Sequence, residues 1–341
     1  TDAATALWKA LQEGLILPTS QVYKFFQDAE QSESQNTINP AYRFLHDRVQ
    51  QAAYSLIPVE QRQKTHLKIG QLLLQSTPSD ALATNLFEIV NHLNQGVGLI
   101  ESIDETIELV HLNLLAGRKA KASIAYANAL NYLNAGLSLL TQESWRDQYD
   151  LTFDLYVELA EVSFLNTDFE QSKQLANIAL QYAKTLLDEA RVYEVEIASY
   201  TAQNHNLSAI EITLNALEAL GISLADEAPR NLEIKDFEHL PEMTDPHKLI
   251  AMRLLVGTYA PAIMSAPEML PKFVFTAIKL CLKSGNSAMA SVSYLFYGLV
   301  SVIFFEDIDR GYQFGKLAIS LLDQFDSRPY QCLVHDVFNF T

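Results

Sequence analysis

The sequence predicts an all-α protein built from helical hairpins stacked into a solenoid, preceded by a small α+β segment. Hydrophobic residues make up 49% of the 341 residues, enough for a full core, whereas the 12 glycines and 11 prolines are sparse. Alternation of apolar and polar residues, the mark of strands, is almost absent after the first fifty residues. Turn signals instead recur about every twenty residues, which is typical of paired helices.

Residues 1–57 predict the α+β segment. Leu7, Leu11 and Leu15 share one face of a first helix. A polar stretch follows, and the apolar–polar–apolar order at 42–44 then predicts a short strand. A helix and two short strands around a polar loop is the layout of a winged helix that lacks its first half.

A second helix is expected directly after this strand. Asp47 as N-cap, with Gln50 three residues later, forms a capping signal, and Pro58 sets the end of the helix. His46 then lies at a helix N-terminus, where unpaired N–H groups and the helix dipole favour an anion. His46 is therefore a candidate phosphate sensor, with Arg48 as the second candidate. The alternative is that His46 only bridges strand and helix and that Arg48 is a surface charge.

Small and aromatic residues recur at fixed offsets after residue 58. The offsets 0, 9, 12 and 19 hold Gly117, Tyr126, Ala129 and Gly136, and then Ala160, Phe169, Ser172 and Ala179. Ala209 with Ala216, and Gly311 with Ala318, repeat the last pair. Equivalent positions are 43 and then 37 residues apart. This pattern predicts elongated, tetratricopeptide-like (TPR-like) helical repeats over 58–224.

Residues 225–247 interrupt the helical pattern. They contain three prolines and seven acids against two bases, which predicts a connector between two helical blocks. Phe237, Leu240 and Met243 are expected to pin this connector to a repeat face. A second TPR-like block is expected over 248–341.

Charge and hydropathy restrict the partners. The net charge of −17 argues against nucleic acid, whose binding requires clustered Lys and Arg. Ser287–Phe305 is uncharged and long enough to span a membrane, but four serines and a glycine interrupt it, so a buried central helix is expected. The two cysteines lie among apolar neighbours, as structural thiols do in a reducing cytoplasm. We therefore expect a cytoplasmic location, no nucleic acid and no membrane span.

Catalytic signatures are absent from the sequence. No phosphate-cradling G-x-x-x-x-G-K-[ST] occurs, and none of the eight histidines forms H-E-x-x-H or a paired Cys/His spacing. We expect neither an enzyme nor a metal site, and no cofactor bound by this chain itself.

Stretches at four separated places carry a family resemblance. They are FLHDRVQQAAYSLIP (44–58), preceded by LWKALQEGLILP (7–18), and then LPEMTDPHKLIAMRLL (240–255), SGNSAMASVSYLFYGLV (284–300) and GYQFGKLAISLLDQF (311–325). They resemble bacterial, mostly cyanobacterial, multi-domain signalling kinases. In that family a Ser/Thr kinase domain is followed by a STAND-class ATPase, a helical repeat region, and sensor and histidine-kinase domains. The resemblance implies that this chain is the winged-helix end plus the TPR-like region of such a protein.

The resemblance also implies roles for individual residues. FLHD is similar to the histidine–aspartate motif of related STAND ATPases, in which the histidine contacts the nucleotide β-phosphate in the closed, ADP-bound state. Carried over, His46 would sense the nucleotide and Asp47 would hold the helix start. ATP or ADP and Mg would be bound by an upstream ATPase domain and by the kinase domains, outside this chain.

The repeat surface is the second candidate site. Stacked hairpins form a groove, and Tyr156, Tyr193, Tyr200, Tyr294 and Tyr297 are candidates to line it. The alternative is that these tyrosines pack between repeats, as aromatics of amphipathic helices commonly do.

The leading functional hypothesis is a regulatory sensor segment of a STAND-type signalling kinase. It would bind a protein partner or small-molecule effector and couple it to the nucleotide state of the ATPase. One alternative is a constitutive protein–protein scaffold, and another is the regulatory region of a STAND-type transcription activator.

Overall fold

The computed structural model describes residues 2–19, 42–227, 229, 233–325 and 330–339. Across these residues the fold is mostly helical, with a two-stranded antiparallel sheet near the N-terminus. The predicted helical class with a small N-terminal α+β segment is confirmed at this level. The chain forms two compact units, Thr1–Ser102 and Ile103–Thr341. The predicted domain limits at 57, 224 and 247 stay a prediction.

The first unit contains helices and the small sheet. Its elements are α1 (Asp2–Gln12), β1 (Ile16–Pro18), β2 (Tyr42–Phe44), α2 (Asp47–Ser55), α3 (Val59–Ser76), α4 (Leu82–Gln95) and a 3-10 turn over Val97–Leu99. The strand predicted at 42–44 is present, with Ile16 opposite Phe44 and Pro18 opposite Tyr42. The α3–α4 pair packs closely, because Gly70 lies against Leu93.

The second unit consists of helices connected mostly by short loops. These are α5 (Ile103–Ala122), α6 (Tyr126–Leu137), α7 (Ser144–Asp147), α8 (Tyr149–Leu165), α9 (Phe169–Tyr182), α10 (Leu186–Ala202), α11 (Asn206–Ala219), α12 (Lys235–Glu238), α13 (Pro246–Gly257), α14 (Tyr259–Ser265), α15 (Leu270–Ser284), α16 (Ala288–Phe305), α17 (Ile308–Gln324) and α18 (Gln331–Phe338). Consecutive helices pack as pairs, and α5, α8, α10 and α13 also pack against one another in that order.

The small residues singled out in the sequence lie where paired helices meet. Gly117 of α5 lies directly against Leu133 of α6, where any added side-chain carbon would overlap the leucine. Ala129, Ala179 and Ala209 are fully buried. A small residue is required at such positions because two helix backbones approach closely there.

Four helix pairs are joined by turns that contain a left-handed residue at the same position. Each turn has a non-glycine residue in the left-handed region two positions before the next helix: Ile124, Thr167, Asn204 and Glu306, with φ of 60°, 68°, 59° and 55°. In the first three, the next residue donates its N–H to the carbonyl five residues back, which satisfies a free carbonyl at the helix end. The left-handed residues are 43 and then 37 residues apart, the spacing of the small-residue pattern.

Replacing Ile124 by glycine is expected to stabilise the protein. A β-branched residue pays about 1–2 kcal/mol in the left-handed region, whereas glycine loses roughly 0.5–1 kcal/mol through its flexible unfolded state. Ile124 is 74% exposed, so little packing is lost. We expect the free energy of unfolding in urea to rise by about 0.5–1 kcal/mol. Ile124→Ala, which keeps the β-carbon, should give little of this gain, and a loss of stability for Ile124→Gly would contradict the strain argument.

The connector is built into the core of the second unit. Phe237 and Met243 are buried, and Leu240 packs against the same apolar cluster, as predicted. Asn286 holds the segment: its backbone N–H donates to the Pro241 carbonyl (2.7 Å) and its carbonyl accepts from Met243 (2.7 Å). Its side-chain amide also donates to the Phe237 carbonyl (3.1 Å). The connector is therefore ordered mainly by tertiary hydrogen bonds and apolar contacts.

Helix α16 is the central helix of this core. By length and composition it is the one helix of the described residues that could cross a membrane, yet 67% of it is buried inside the fold. Gly298 lets it approach α17, since a β-carbon there would crowd the backbone carbonyl of Gly311. The prediction of a buried central helix is confirmed, and an apolar helix surrounded by protein is what a core element requires.

Candidate functional site

The start of α2 differs in detail from its prediction. His46, not Asp47, is the N-cap: its backbone is extended (φ −142°, ψ 147°), and its side chain makes no capping hydrogen bond. Asp47 is the first helical residue, so the expected capping signal with Gln50 is wrong. The reason is that His46, after the bend that follows β2, is still extended, so helical backbone angles begin only at Asp47. His46, Asp47 and Arg48 are all exposed, and their nucleotide-sensing role stays a prediction.

Two of the five tyrosines predicted for a partner groove are core residues. Tyr294 is 0% exposed and Tyr297 is 1% exposed, so neither can line a surface groove, and this part of the prediction is wrong. The Tyr294 hydroxyl donates to the side-chain carbonyl of Asn286 and so supports the connector. The Tyr297 ring packs edge-on against the Phe314 ring, with the ring centroids 4.6 Å apart. Both tyrosines lie on the buried part of α16, which other helices of the second unit surround.

The other three tyrosines are partly buried. Tyr156 lies beside a cavity of about 370 Å³ between α6, α8 and α9, with its ring 4.9 Å from that of Trp145. Trp145 in turn stacks on Tyr182, with ring centroids 4.3 Å apart. Tyr193 and Tyr200 pack against an apolar cluster shared by α10, α11 and α13. Their role in partner binding stays a prediction.

A row of ion pairs crosses four helices of the second unit that pack side by side. We call it the charge ladder, and its members are Arg118 and Lys121 (α5), Asp154, Glu158 and Glu161 (α8), Arg191 and Glu194 (α10), and Arg253 (α13). Each cation contacts a carboxylate on a neighbouring helix. The side chains are 13–46% exposed, so they are accessible without being fully solvated.

The α5–α8 end of the ladder is a network. Arg118 donates to Glu158 Oε1 (2.6 Å) and Asp154 Oδ2 (2.9 Å). Lys121 donates to Glu158 Oε2 (2.6 Å) and to Glu161 Oε2 (2.8 Å). Each carboxylate shared by two cations ties together more than one pair, which makes the geometry more rigid than that of isolated surface pairs.

The α10–α13 end contains a bidentate pair. Arg253 donates from Nε and Nη2 to the two carboxylate oxygens of Glu194, both at 2.5 Å. Asp154 connects α8 to α10, because its second oxygen accepts from Arg191 of α10 (2.7 Å). Ion pairs thus connect α5 to α8 and α8 to α10 without a break. Glu194, also on α10, forms a separate pair with Arg253 on α13.

Burial and pairing compete in setting the pKa values of the ladder. Burial disfavours the charged form of Asp154, but hydrogen bonds from Arg191 and Arg118 outweigh it and hold its pKa below the ordinary value. For Glu194 burial dominates and raises its pKa despite Arg253. For Lys121 burial opposes the charge, but the pairing with Glu158 and Glu161 outweighs it and raises the pKa.

Replacing Asp154 by asparagine tests how much the ladder stabilises the fold. The change leaves Arg118 and Arg191 without their shared charge, and we expect the free energy of unfolding to fall by about 1–2 kcal/mol at neutral pH. Because the pKa of Asp154 is lowered in the folded state, its contribution is present above the ordinary pKa and is lost as pH falls through the lowered value. The difference between the two proteins in urea unfolding should therefore shrink at acid pH. Glu211→Gln, on the exposed face of α11, is the control and should change little.

The sequence contains a signal for the ladder that the prediction overlooked. Asp154, Glu158 and Glu161 are spaced to form an acidic stripe on one face of α8, and Arg118 and Lys121 form a basic pair on α5. The cations and carboxylates that meet are 36–59 residues apart in sequence. Only the packing of α5, α8, α10 and α13 shows which stripes face each other.

A cavity of about 300 Å³ opens at the ladder between α8 and α10. Its lining combines charged members with an apolar floor: Glu158, Glu161, Arg191 and Glu194, then Val157, Phe164, Val195 and Ala198. Three of the four charged groups are acidic. Within the described part of the chain, no group of three or more His, Cys, Asp or Glu side chains is arranged to hold a metal ion.

Comparison with known proteins places the chain near a signalling kinase. It is 27% identical, over 345 aligned positions, to hybrid signal transduction histidine kinase G of Dictyostelium discoideum. The match covers 84% of this chain but only 10% of that kinase, so the chain corresponds to a small part of it. No protein-family model matches the chain, and no solved structure is significantly similar to it.

Proposed function

We propose that this chain is a regulatory helical segment of a multi-domain signalling kinase and that it binds a protein partner along the charge ladder. The observation that carries the proposal is the row of partly exposed side chains that form ion pairs between α5 and α8, between α8 and α10, and between α10 and α13. The similarity to a hybrid histidine kinase over 84% of the chain supports the signalling context. Location in the cytoplasm, where such kinases signal, belongs to the same proposal.

The finer architecture is part of the proposal. We infer that the helix pairs are TPR-like repeats stacked as a solenoid, in which the first helices of successive pairs line one face. Four turns support this inference, because each has a left-handed residue two positions before the next helix. In the first three turns these residues are 43 and then 37 positions apart. In such an arrangement α5, α8, α10 and α13 present the ladder to a partner laid across them.

The ladder suits an extended partner of mixed charge. The cations and carboxylates of the ladder are already paired with each other. A partner must therefore carry both basic and acidic side chains, which replace some of these intrachain ion pairs with pairs across the interface. The cavity between α8 and α10 suits one basic side chain, with its aliphatic stem over Val157 and Val195 and its head among Glu158, Glu161 and Glu194. Exchange of this kind favours specificity and register over raw affinity.

The N-terminal segment is proposed to belong to a larger winged helix that reports the nucleotide state of a STAND-type ATPase. Large apolar side chains that are at least 40% exposed support this: Leu7, Trp8, Leu15, Phe44, Leu45, Tyr54 and Leu56. Large apolar side chains exposed in this number over a short segment are expected to pack against further protein. His46 is exposed at the α2 N-terminus and is free to meet a phosphate supplied by that ATPase, together with its Mg and ATP or ADP.

Reversal of the Glu194–Arg253 pair tests the partner surface. In the intact kinase, the double variant Glu194→Arg/Arg253→Glu keeps an ion pair with inverted polarity, so the fold is retained while the charges offered to a partner change. We expect the free energy of unfolding to stay within about 1 kcal/mol of that of the parent protein. The partner that is recovered with the parent protein should bind the double variant at least tenfold more weakly. Unchanged binding of that partner would overturn the assignment of the ladder. Glu211→Arg on α11 is the matched surface control.

Replacement of His46 by alanine tests nucleotide coupling separately. In the intact protein we expect faster ADP release and raised basal kinase activity, because the closed state loses one phosphate contact. Unchanged ADP retention and unchanged basal activity would contradict the sensor role. Partner binding that does not respond to ADP or ATP would favour a constitutive scaffold.

A further inference from the structure

Two histidines and a tyrosine form a hydrogen-bonded chain in the first unit. Nδ1 of His66 (α3) lies 2.8 Å from Nδ1 of His92 (α4), and the two rings are tilted with centroids 4.9 Å apart. Nε2 of His66 lies 3.1 Å from the hydroxyl of Tyr54 (α2). The chain therefore ties α2 to both α3 and α4, and both imidazoles are partly buried.

The hydrogen-bonded chain can hold only a limited number of protons. In the neutral state one Nδ1 carries a hydrogen and donates to the other, and the Tyr54 hydroxyl completes the chain as donor or acceptor. With one extra proton, His66 donates from both nitrogens, to His92 and to Tyr54, so both bonds remain and become charge-assisted. With two extra protons, both Nδ1 atoms carry hydrogens, and the contact at 2.8 Å becomes a repulsion between two cations.

A cation contacts this hydrogen-bonded chain at its Tyr54 end. Arg62 of α3 lies over the Tyr54 ring, with its guanidinium carbon 4.9 Å from the ring centroid. Its side chain is fixed there by hydrogen bonds to the carbonyls of Ile57 (2.9 Å) and Ser55 (3.2 Å). Among the described residues, the charged and titratable groups that make up or contact the chain are Tyr54, Arg62 and the two histidines, and none of them is a carboxylate. Consistent with this, burial and then the neighbouring His92 lower the pKa of His66 from 6.5.

We propose that Tyr54, His66 and His92 form a proton-linked latch that holds α2 against the α3–α4 pair and opens when both imidazoles are protonated. The proposal rests on the geometry of the three side chains and is independent of the charge ladder. The latch would make the attachment of α2, which begins next to His46, sensitive to pH between about 5 and 7, the range in which histidine changes charge.

The direction of the pH effect follows from proton binding. The unfolded chain can protonate both histidines, whereas the closed latch accepts only one proton, so the unfolded or open state binds more protons at low pH. The closed state is therefore most stable above about pH 6.5, the ordinary histidine pKa, and is lost as pH falls below it.

Histidine titration by NMR tests the latch on the whole chain. With ¹⁵N-labelled histidine, and with His66→Gln and His92→Gln to assign the signals, we expect the two imidazoles to titrate as a coupled pair in two steps separated by more than about one pH unit. In His92→Gln, where glutamine keeps a hydrogen-bonding group without a charge, the midpoint of His66 should rise. Two independent titrations near 6.5, unaffected by either replacement, would overturn the proposal.

Amide hydrogen exchange tests the opening itself. The ratio of exchange rates for α2 amides between the parent and His92→Gln, taken at each pH, cancels the intrinsic pH dependence of exchange. We expect this ratio to increase about tenfold between pH 7 and pH 5. Tenfold is the change in the opening equilibrium that a difference of about one pKa unit between the closed and open states produces. A flat ratio would show that protonation does not open the latch. His111→Gln, on an exposed position of α5, is the control and should leave both readouts unchanged.

Discussion

Replacing Phe237 by alanine is expected to lower the free energy of unfolding by about 3–5 kcal/mol. The ring is 0% exposed and packs edge-on against Tyr294 and Phe314, with centroids 5.1 and 5.2 Å away. Its removal leaves a cavity in the centre of the second unit and frees the connector, because Phe237 is the connector's largest buried side chain. Urea unfolding followed by circular dichroism gives the measurement.

Phe304→Ala provides the matched control for this prediction. Phe304 lies at the end of α16 and is 48% exposed, so truncation should cost only about 1 kcal/mol. A loss for Phe237→Ala no larger than that of the control would show that the connector does not depend on this contact.

Replacing Gly285 by alanine is expected to cost about 3 kcal/mol or more. Gly285 has φ 101° and ψ −178°, a region that is essentially restricted to glycine and costs other residues about 1–3 kcal/mol. A β-carbon there would also overlap the backbone carbonyl of Pro241, which cannot move without breaking its bond from the Asn286 N–H. Strain and overlap therefore add, and thermal unfolding should show a markedly lower midpoint.

Two other glycines separate the two causes. Gly221 has φ 69° and open space where a β-carbon would lie, so Gly221→Ala should show backbone strain alone, about 1 kcal/mol. Gly257 has an ordinary φ and its nearest neighbour atom, on Ile197, is 3.9 Å from the β-carbon position, so Gly257→Ala should be close to neutral. Equal losses of stability for all three substitutions would refute the close approach of the connector to the turn between α15 and α16.

Local patterns predict the helices well, and the small strand at 42–44, because helix and strand periodicity are properties of neighbouring residues. The same patterns place Ala129, Ala179 and Ala209 at helix contacts, where they are buried. The N-cap of α2, in contrast, lies one residue earlier than the local pattern predicts. The Leu45 N–H donates to the Leu15 carbonyl and His46 is still extended, and this contact depends on a segment far back in the sequence.

The candidate site was only partly predictable for the same reason. Tyr156 and Tyr193 look like Tyr294 and Tyr297 in sequence, yet the first two are partly buried and the last two are enclosed. The difference is set by how many helices surround each one, which no local pattern contains. The left-handed turns were not predicted either, because Ile124 and Thr167 are not residues that favour that conformation.

The sequence by itself determined that this is a helical protein, where its paired helices cross, that its acidic connector carries apolar anchors, and that Ser287–Phe305 is a core helix. These follow from periodicity, small residues and hydropathy, all of which act over a few turns of chain. Only the tertiary structure decided that charges on α5, α8, α10 and α13 meet as a ladder, that Asn286 holds the connector, and that His66 meets His92. Such contacts join residues 26–59 positions apart, and their free energy depends on distances set when the helices pack.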